Sequence, residues 1–250
     1  MLKYPLSTLL YIAKINIKDT IKDALKLHNN IDMRLTITVK DKNGKIIKQH
    51  KQHSHSFLMN FLAMLATMMV NSYNSYNNFF YYRSTTGTWW SPSTGGTYGA
   101  TNSEELFDML DDANDSTYGI VVGTGTATPT PNDYNLQSQI INGTGAGQLY
   151  YGAHSISPTP TTTSNGNMTS PPSPGTLTPS GNTTSFSVSR TFQNQSGASI
   201  TVSEVGILAQ SLGFNQPNIY ILIIHDLLSS AITIPNNGVM AITYTISVTT

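Results

Sequence analysis

The sequence predicts a mainly β protein with a smaller helical part. We expect an antiparallel, jelly-roll-like β-sandwich in the C-terminal half, preceded by two helices and a β-hairpin. Short runs of β-branched and aromatic residues separated by Gly, Pro and Asn turns indicate the sandwich. Apolar and polar residues alternate strictly in Met33–Lys40 and again from Ile242 to Thr249 at the end of Val239–Val248, as in half-buried strands. Before residue 71, two stretches show the spacing of a helix instead.

The N-terminal elements follow from residue spacing and turn chemistry. Pro5 suits a first helical position, and apolar residues then recur every three or four positions until Asn29 and Asn30. The sequence DKNG at 41–44 is a strong hairpin signal between two strands. The predicted order is helix, strand, turn, strand and helix, over Pro5–Asn30, Met33–Lys40, Asp41–Gly44, Lys45–Gln52 and Phe57–Val70.

Charge divides the chain into two unlike parts. The net charge is zero, but residues 1–51 carry eleven cations against four acids, a net +7, and the remainder carries −7. Residues 134–250 contain only Arg190, Glu204 and Asp226 as charged groups. We therefore predict a basic α+β arm or assembly region over residues 1–115. A β-sandwich domain over 116–250 follows, with a surface excursion rich in Pro, Ser and Thr at 157–184.

The β-domain is predicted to contain seven strands. Ile219–Ile224 is apolar throughout, which favours a central strand covered on both faces. A short acidic helix over Glu104–Asp112 is expected just before the domain. The predicted strands are Tyr118–Thr124, Gln148–Ile156, Ser185–Phe192, Ile200–Ala209, Ile219–His225, Ala231–Ile234 and Val239–Val248.

Residue types that carry out catalysis are sparse and scattered, so no enzymatic activity, cofactor or small-molecule substrate is predicted. The chain has no cysteine, and His225 and Asp226 should point to opposite faces of their strand. His50, His53 and His55 are the best candidates for metal ligands. The alternative is a polar strand end that leads into the second helix, and we favour it because no nearby carboxylate completes a site.

One ion pair is predicted from strand register. If the strands on either side of Gln195–Ser199 form a hairpin, Arg190 lies opposite Glu204 on a mostly apolar face. Such a pair would fix the register of the strands more than it would add stability.

Two surfaces are candidates for contact with partners. The aromatic residues Tyr81, Tyr82, Trp89 and Trp90 either supply interaction surface or form a small satellite core. The nearly uncharged β-domain is poorly protected against association, which makes sense if neighbouring copies cover it. The +7 part of one copy could meet the −7 part of the next. Nucleic acid is the least favoured partner of the basic part, because its lysines are evenly spaced and accompanied by aspartates.

Three runs within residues 118–250 form a recognisable series, namely YGIVVGTGTATPTPNDYNLQSQI, SFSVSRTFQNQSGASITVSEVGIL and ILIIHDLLSSAITIPNNGVMAITYTISV. This series resembles an arrangement found in virion structural proteins of tailed bacteriophages and related archaeal viruses. The resemblance implies a β-sandwich module in a capsid- or tail-associated subunit without enzymatic activity. His225 stands where such proteins commonly have an arginine.

The leading hypothesis is therefore a non-enzymatic virion structural protein that self-associates or docks to other virion proteins. The alternative is an extracellular adhesion or carbohydrate-binding module, or a filament subunit. No membrane-spanning segment is predicted, and Pro5 and Ser7 interrupt the only stretch that faintly suggests a signal peptide. We accordingly expect assembly in the host cytoplasm and location in the virion.

Overall fold

The computed structural model of the protein describes residues 31–54, 57–70, 81–90, 108–158, 180–212 and 218–249. In this part of the chain the fold is mainly β, with antiparallel sheets and one helix. The predicted mainly β class is confirmed. The first predicted helix, Pro5–Asn30, and most of the excursion 157–184 lie outside the described residues.

The helix, α1, spans Met59–Val70, and the second predicted helix is thus found almost where it was expected. In contrast, residues 108–112 of the predicted acidic helix are not helical, and Asp108 instead forms an isolated β-bridge with Gln210. The strands are β1 (Ile31–Lys40), β2 (Ile46–His53), β3 (Tyr82–Arg83), β4 (Trp89–Trp90), β5 (Gly119–Gly123), β6 (Tyr150–Ser157), β7 (Thr183–Gln193), β8 (Ile200–Leu212), β9 (Asn218–Ile234) and β10 (Val239–Thr249).

The strands form three antiparallel sheets. The largest has five strands in the order β2-β1-β10-β7-β6. A second sheet has three strands in the order β5-β8-β9, and β3 and β4 form a two-stranded ribbon. Residues from both larger sheets enter one buried hydrophobic cluster, which includes Leu35 and Tyr244 of the first sheet and Val202 and Ile221 of the second.

The predicted N-terminal hairpin is confirmed in strand position and turn. Asp41 Oδ1 accepts hydrogen bonds from the backbone N–H groups of Asn43 and Lys45, at 2.9 and 3.0 Å. Gly44 has φ +79°, a conformation that residues with a Cβ rarely adopt. The four apolar residues of β1 that alternate along the strand, Met33, Leu35, Ile37 and Val39, are all buried.

The hairpin belongs to the same sheet as the last strand of the chain. β1 pairs with β10 over ten residue positions, from Ile31 opposite Val248 to Lys40 opposite Val239. The division predicted near residue 115 therefore cuts through the five-stranded sheet, in which strands from both sides of it are neighbours.

β9 differs from its prediction in length and position. The two strands expected over 219–225 and 231–234 are one strand of 17 residues, with a register irregularity opposite Val202 and Glu204. β9 is also the last strand of its sheet and not a central one. Its apolar run is nevertheless buried, because non-strand segments cover its outer edge: Leu58 N–H donates to Ile223 O at 3.1 Å, and Thr85 N–H donates to Tyr220 O at 2.9 Å.

Among the described residues, no helix is long and apolar enough to cross a membrane.

Candidate functional site

The predicted pair between Arg190 and Glu204 is wrong, because the two residues belong to different sheets. Residues 194–199 do not close a hairpin; they carry the chain from β7 in the five-stranded sheet to β8 in the three-stranded sheet. The buried Asn194 fixes this crossing, since its side-chain amide donates to Ala198 O at 2.7 Å and to Ile234 O at 2.9 Å. Arg190 and Glu204 each organise a separate polar cluster instead.

Arg190 is fully buried and holds the segment 111–120 against the larger sheet. Its Nε donates to Gly152 O at 2.8 Å, and its Nη2 lies 3.5 Å from Asp111 Oδ2. The guanidinium carbon is 4.7 Å from the centre of the Tyr151 ring. The remaining donors bond to backbone carbonyls of Asp112, Asp115, Tyr118 and Ile120. A planar group with five donors suits this arrangement of acceptors, and a lysine does not.

His154 fixes the same segment from strand β6. Its Nδ1 donates to Asp111 O at 2.9 Å, and its Nε2 accepts a hydrogen bond from Ile120 N–H at 2.8 Å. These two partners select the neutral ring with the proton on Nδ1. Burial, together with the charge of Arg190, lowers the pKa of His154 to about 4. Burial also raises the pKa of Asp111 to about 6, and the repulsion of Asp115 adds to this effect.

Glu204 is the centre of the second cluster and is 1% exposed. Its Oε1 accepts hydrogen bonds from the N–H groups of Gly125 and Ser138, at 2.9 and 2.8 Å, and its Oε2 accepts one from Gln137 N–H at 3.0 Å. A Cβ at Gly123 or at Gly125 would lie 2.4 Å from Oε1, which explains the two glycines. The carboxylate thus binds three backbone N–H groups near the two ends of the segment 124–138 and holds these ends together.

His225 links Glu204 to Asp133. Its Nε2 lies 2.9 Å from Glu204 Oε2, and its Nδ1 lies 2.7 Å from Asp133 Oδ2. Burial alone would lower the pKa of His225, but the hydrogen bonds to the two carboxylates outweigh it and raise the pKa. The same bonds help to lower the pKa of Glu204 and of Asp133 despite their burial. Both ring nitrogens face carboxylate oxygens, an arrangement that the charged imidazolium satisfies because it donates from both nitrogens.

Asp226, the next residue, points to the other face of β9, as predicted. Its Oδ2 accepts hydrogen bonds from Ser54 Oγ at 2.7 Å and Tyr244 Oη at 2.9 Å. Both partners come from the part of the chain that forms the five-stranded sheet. His225 and Asp226 therefore act in separate clusters, and each ties β9 to a different neighbour.

The Glu204 cluster joins parts of the three runs on which the resemblance to virion proteins rests. Gly123, Gly125 and Asp133 come from the first run, Glu204 from the second and His225 from the third. Strand register explains why sequence reasoning missed this cluster: His225 lies opposite Gly206, diagonally across from Glu204. The near absence of other charges in 134–250 was the one available signal that Glu204 needs a buried partner.

The aromatic candidates divide into surface and core. Tyr81 is 62% exposed and Trp89 is 52% exposed, whereas Tyr82 is fully buried and Trp90 packs partly against the core. The inclusion of Tyr82 among the interaction candidates is therefore wrong. In the ribbon, Tyr82 pairs with Trp90 and Arg83 with Trp89, so the two members of each pair share a face.

The ribbon that carries the exposed aromatic residues is tied to its neighbours through Arg83. The guanidinium carbon of Arg83 lies 3.9 Å from the centre of the Tyr134 ring. The side chain of Asn60, in α1, bonds to both Arg83 N–H and Arg83 O at 2.9 Å, and also to Leu222 O at 3.0 Å. The helix, the ribbon and β9 are thereby fastened together.

Helix α1 also presents apolar residues to solvent. Met59, Leu62 and Leu65 are spaced by three residues and are 38%, 61% and 41% exposed. Ala63 and Met64 on the opposite side are buried. We call Met59, Leu62, Leu65, Tyr81 and Trp89 the exposed apolar set.

The histidine candidates for a metal site are not brought together with other ligands. His50 Nε2 lies 2.8 Å from Gln52 Oε1, and His53 Nδ1 lies 2.8 Å from Asp32 Oδ1. His55 lies outside the described residues. Within the parts of the chain that are described, no three His, Cys, Asp or Glu residues form a group that could hold a metal ion.

Comparisons with protein families, with curated proteins and with solved structures find no match to this chain.

Proposed function

We propose that the protein is a non-enzymatic structural subunit of a virion, in its capsid or tail, that self-associates or docks to other virion proteins. In this proposal its two larger antiparallel sheets form a jelly-roll-like β-sandwich, and their shared hydrophobic cluster supports that arrangement. The resemblance of residues 118–250 to virion proteins suggests the setting.

The exposed apolar set is the observation that carries the proposal. Large apolar side chains exposed on neighbouring elements of a protein surface can mark sites of protein contact. Here they lie on α1 and on the β3–β4 ribbon, two elements joined by Asn60. A rigid surface loses little conformational entropy when it binds, which favours association.

The buried charged clusters also support the proposed role as a structural subunit. The Glu204 carboxylate accepts hydrogen bonds from three backbone amides and His225. The Arg190 guanidinium donates hydrogen bonds to five backbone carbonyls and to Asp111. Each cluster therefore fixes a long loop in one conformation. Loops of defined shape are what a subunit needs to fit its neighbours repeatedly.

The test is the native mass of the purified protein, measured by light scattering after size exclusion and by electron microscopy. We expect particles many times heavier than the 27.2 kDa chain. The double variant Leu62→Gln/Trp89→Ser should shift the population towards smaller species. Ile141→Gln is the matched control, because Ile141 is 56% exposed but lies outside the exposed apolar set. A wild-type protein that stays monomeric at high concentration contradicts the proposal.

Tyr81 and Trp89 also favour a second candidate, a carbohydrate-binding module. Exposed aromatic rings on a rigid ribbon can stack against sugar rings. This candidate predicts a monomer whose tryptophan fluorescence is quenched by a glycan, and quenching that Trp89→Ser removes. An assembled protein without any such quenching would contradict it.

A further inference from the structure

Three of the four outer edges of the two larger sheets are covered by chain that is not in strands. The edge of β5 bonds to 138–140 through Ile140 N–H and Val122 O, at 2.8 Å. The edge of β6 bonds to 111–114, since Asn114 N–H donates to Tyr151 O at 2.9 Å. The edge of β9 is covered by Leu58 and Thr85, as described above. These covers occupy part of the backbone edge of the three strands and so hinder their pairing with another chain.

The fourth edge, β2, differs from the others. Among the described residues, no backbone hydrogen bond covers the outer side of Ile46–Lys51. Ile46 and Ile47 at the start of this strand are 50% and 49% exposed. Lys45 and Lys51 are also exposed, and no carboxylate of the described residues lies within 4 Å of either. Within the described part of the chain, the β2 edge therefore presents free backbone groups, two apolar side chains and two lysines without a carboxylate partner.

The opposite margin of the same sheet is acidic. The segment that covers β6 contains Asp111 and Asp112, and it is flanked by Asp115 and by Asp108, which bridges to Gln210 of the three-stranded sheet. Arg190 is the only cation that pairs with a carboxylate there in the described part of the chain. Asp112 is exposed, and so is Leu110 at 40%. We call residues 108–115 the acidic margin. Four strand spacings, roughly 19 Å, separate β2 from β6 across the sheet.

We infer that the β2 edge of one copy docks against the acidic margin of a second copy, so that subunits add head to tail along the five-stranded sheet. This inference rests on the proposed self-association and names the surfaces that would carry it. The lysines of β2 would face the exposed Asp112 and the half-buried Asp108 and Asp115, and Ile46 and Ile47 would face Leu110. Because the two surfaces differ, a docked pair still has one free β2 edge and one free acidic margin. Further copies can add at both, which builds rings or filaments.

The charges also disfavour the simplest competing contact, a symmetric one between two β2 edges. Two β2 edges that met each other would bring Lys45 and Lys51 of both copies together, and the repulsion would oppose a symmetric dimer. The same lysines attract the acidic margin. The charge pattern therefore selects the polar, head-to-tail arrangement.

Charge reversal tests the inference by sedimentation at low salt. Lys45→Glu/Lys51→Glu should weaken association roughly tenfold, and Asp112→Lys should weaken it roughly threefold, since exposed pairs are individually modest. An equimolar mixture of the two variants should recover part of the lost association. Lys18→Glu/Lys22→Glu is the control, because it changes the net charge equally in residues 1–30.

Each other outcome has a defined meaning. A wild-type protein that does not associate overturns the proposed function and this inference together. Association that persists in the β2 and Asp112 variants overturns the inference alone. Loss confined to the Lys18→Glu/Lys22→Glu control overturns it in favour of contacts made by residues 1–30. Two weakened variants that do not complement each other when mixed overturn the pairing of these two surfaces.

Cross-linking gives a second measurement that does not depend on the size of the electrostatic effect. The chain has no cysteine, so introduced thiols are the only ones present. A short bismaleimide should join Lys45→Cys copies to Asp112→Cys copies more efficiently than it joins two Lys45→Cys copies. The reverse order of efficiency would overturn the inference.

Discussion

Replacing Glu204 by glutamine should destabilise the protein by about 3 kcal/mol or more. The carboxylate accepts four hydrogen bonds, from three backbone amides and from His225, at 2.8–3.0 Å. A glutamine oxygen can replace Oε1 towards Gly125 and Ser138, but its NH₂ group then faces Gln137 N–H and His225 Nε2. Two hydrogen bonds to a charged group are lost, each worth about 1.5–3 kcal/mol.

His225 offsets part of this loss. Its Nε2 can release a proton and accept a hydrogen bond from the new NH₂ group, while its Nδ1–H continues to donate to Asp133. We therefore expect the lower end of the range, near 3 kcal/mol. We also expect the pKa of His225 to fall in the variant, because one of the two carboxylates that raise it is gone.

Urea unfolding at pH 7 measures the free energy, and proton NMR titration measures the pKa of His225. Asp112→Asn is the matched control, because it makes the same acid-to-amide change at an exposed position and should alter stability by about 0.5 kcal/mol or less. A Glu204→Gln variant within 1 kcal/mol of wild type, with an unchanged His225 titration, would refute the reasoning.

Three further substitutions test the same two clusters. Gly125→Ala should cost about 1–3 kcal/mol in thermal or urea unfolding, because its Cβ would lie 2.4 Å from Glu204 Oε1; a neutral effect would mean that the segment 124–138 moves aside freely. Arg190→Lys should cost about 3 kcal/mol or more and accelerate amide exchange in 111–120, since a lysine reaches few of the carbonyls; unchanged exchange would contradict this. His154→Gln should destabilise less at pH 5 than at pH 7, by about 2 kcal/mol. The unfolded histidine binds a proton below pH 6.5, whereas the folded one does so only near pH 4, so His154 itself costs stability as the pH falls. A pH-independent effect of His154→Gln would exclude a neutral buried ring.

The pKa of His225 is shifted in the opposite direction to that of His154, so the pH dependence of its contribution to stability is also opposite. Because the pKa of His225 is raised, its contribution is complete below the unfolded value of 6.5 and disappears as the pH rises through the folded pKa. Wild-type protein should therefore lose stability on the alkaline side, and His225→Gln should lack that loss. Urea unfolding between pH 6 and pH 9 measures the difference, and parallel curves for the two proteins would contradict the charged state of His225.

Local patterns were sufficient to predict most elements of the fold. Alternation along β1 and β10 identified both strands and their buried faces, and the DKNG sequence identified the turn between β1 and β2. These signals are local, since side-chain direction in a strand depends only on the neighbouring residues. The same signals divided β9 into two strands, because its middle, around Leu228 to Ala231, breaks the apolar pattern at a bulge.

Sheet membership could not be read from local patterns, and the candidate site depends on it. The five residues between Asn194 and Ile200 have a length that suits a hairpin, but Asn194 turns the chain into the other sheet. The wrong prediction of Glu204 as the partner of Arg190 followed from the assumption that β7 and β8 form a hairpin. The backbone partners of Glu204 lie 66 to 79 positions away at 125–138, and sequence spacing carries no signal for contacts at that distance.

The pairing of β1 with β10 has a consequence for how the chain folds. Ile31 lies opposite Val248, so the five-stranded sheet cannot be completed before the ribosome has added Val248 to the chain. Until then the side of β1 that pairs with β10 has no partner strand, and the apolar face of the β1–β2 hairpin is uncovered. Folding that depends on such distant contacts is slow. During synthesis this hairpin is therefore exposed to premature pairing, and binding by a chaperone or by a neighbouring subunit would protect it.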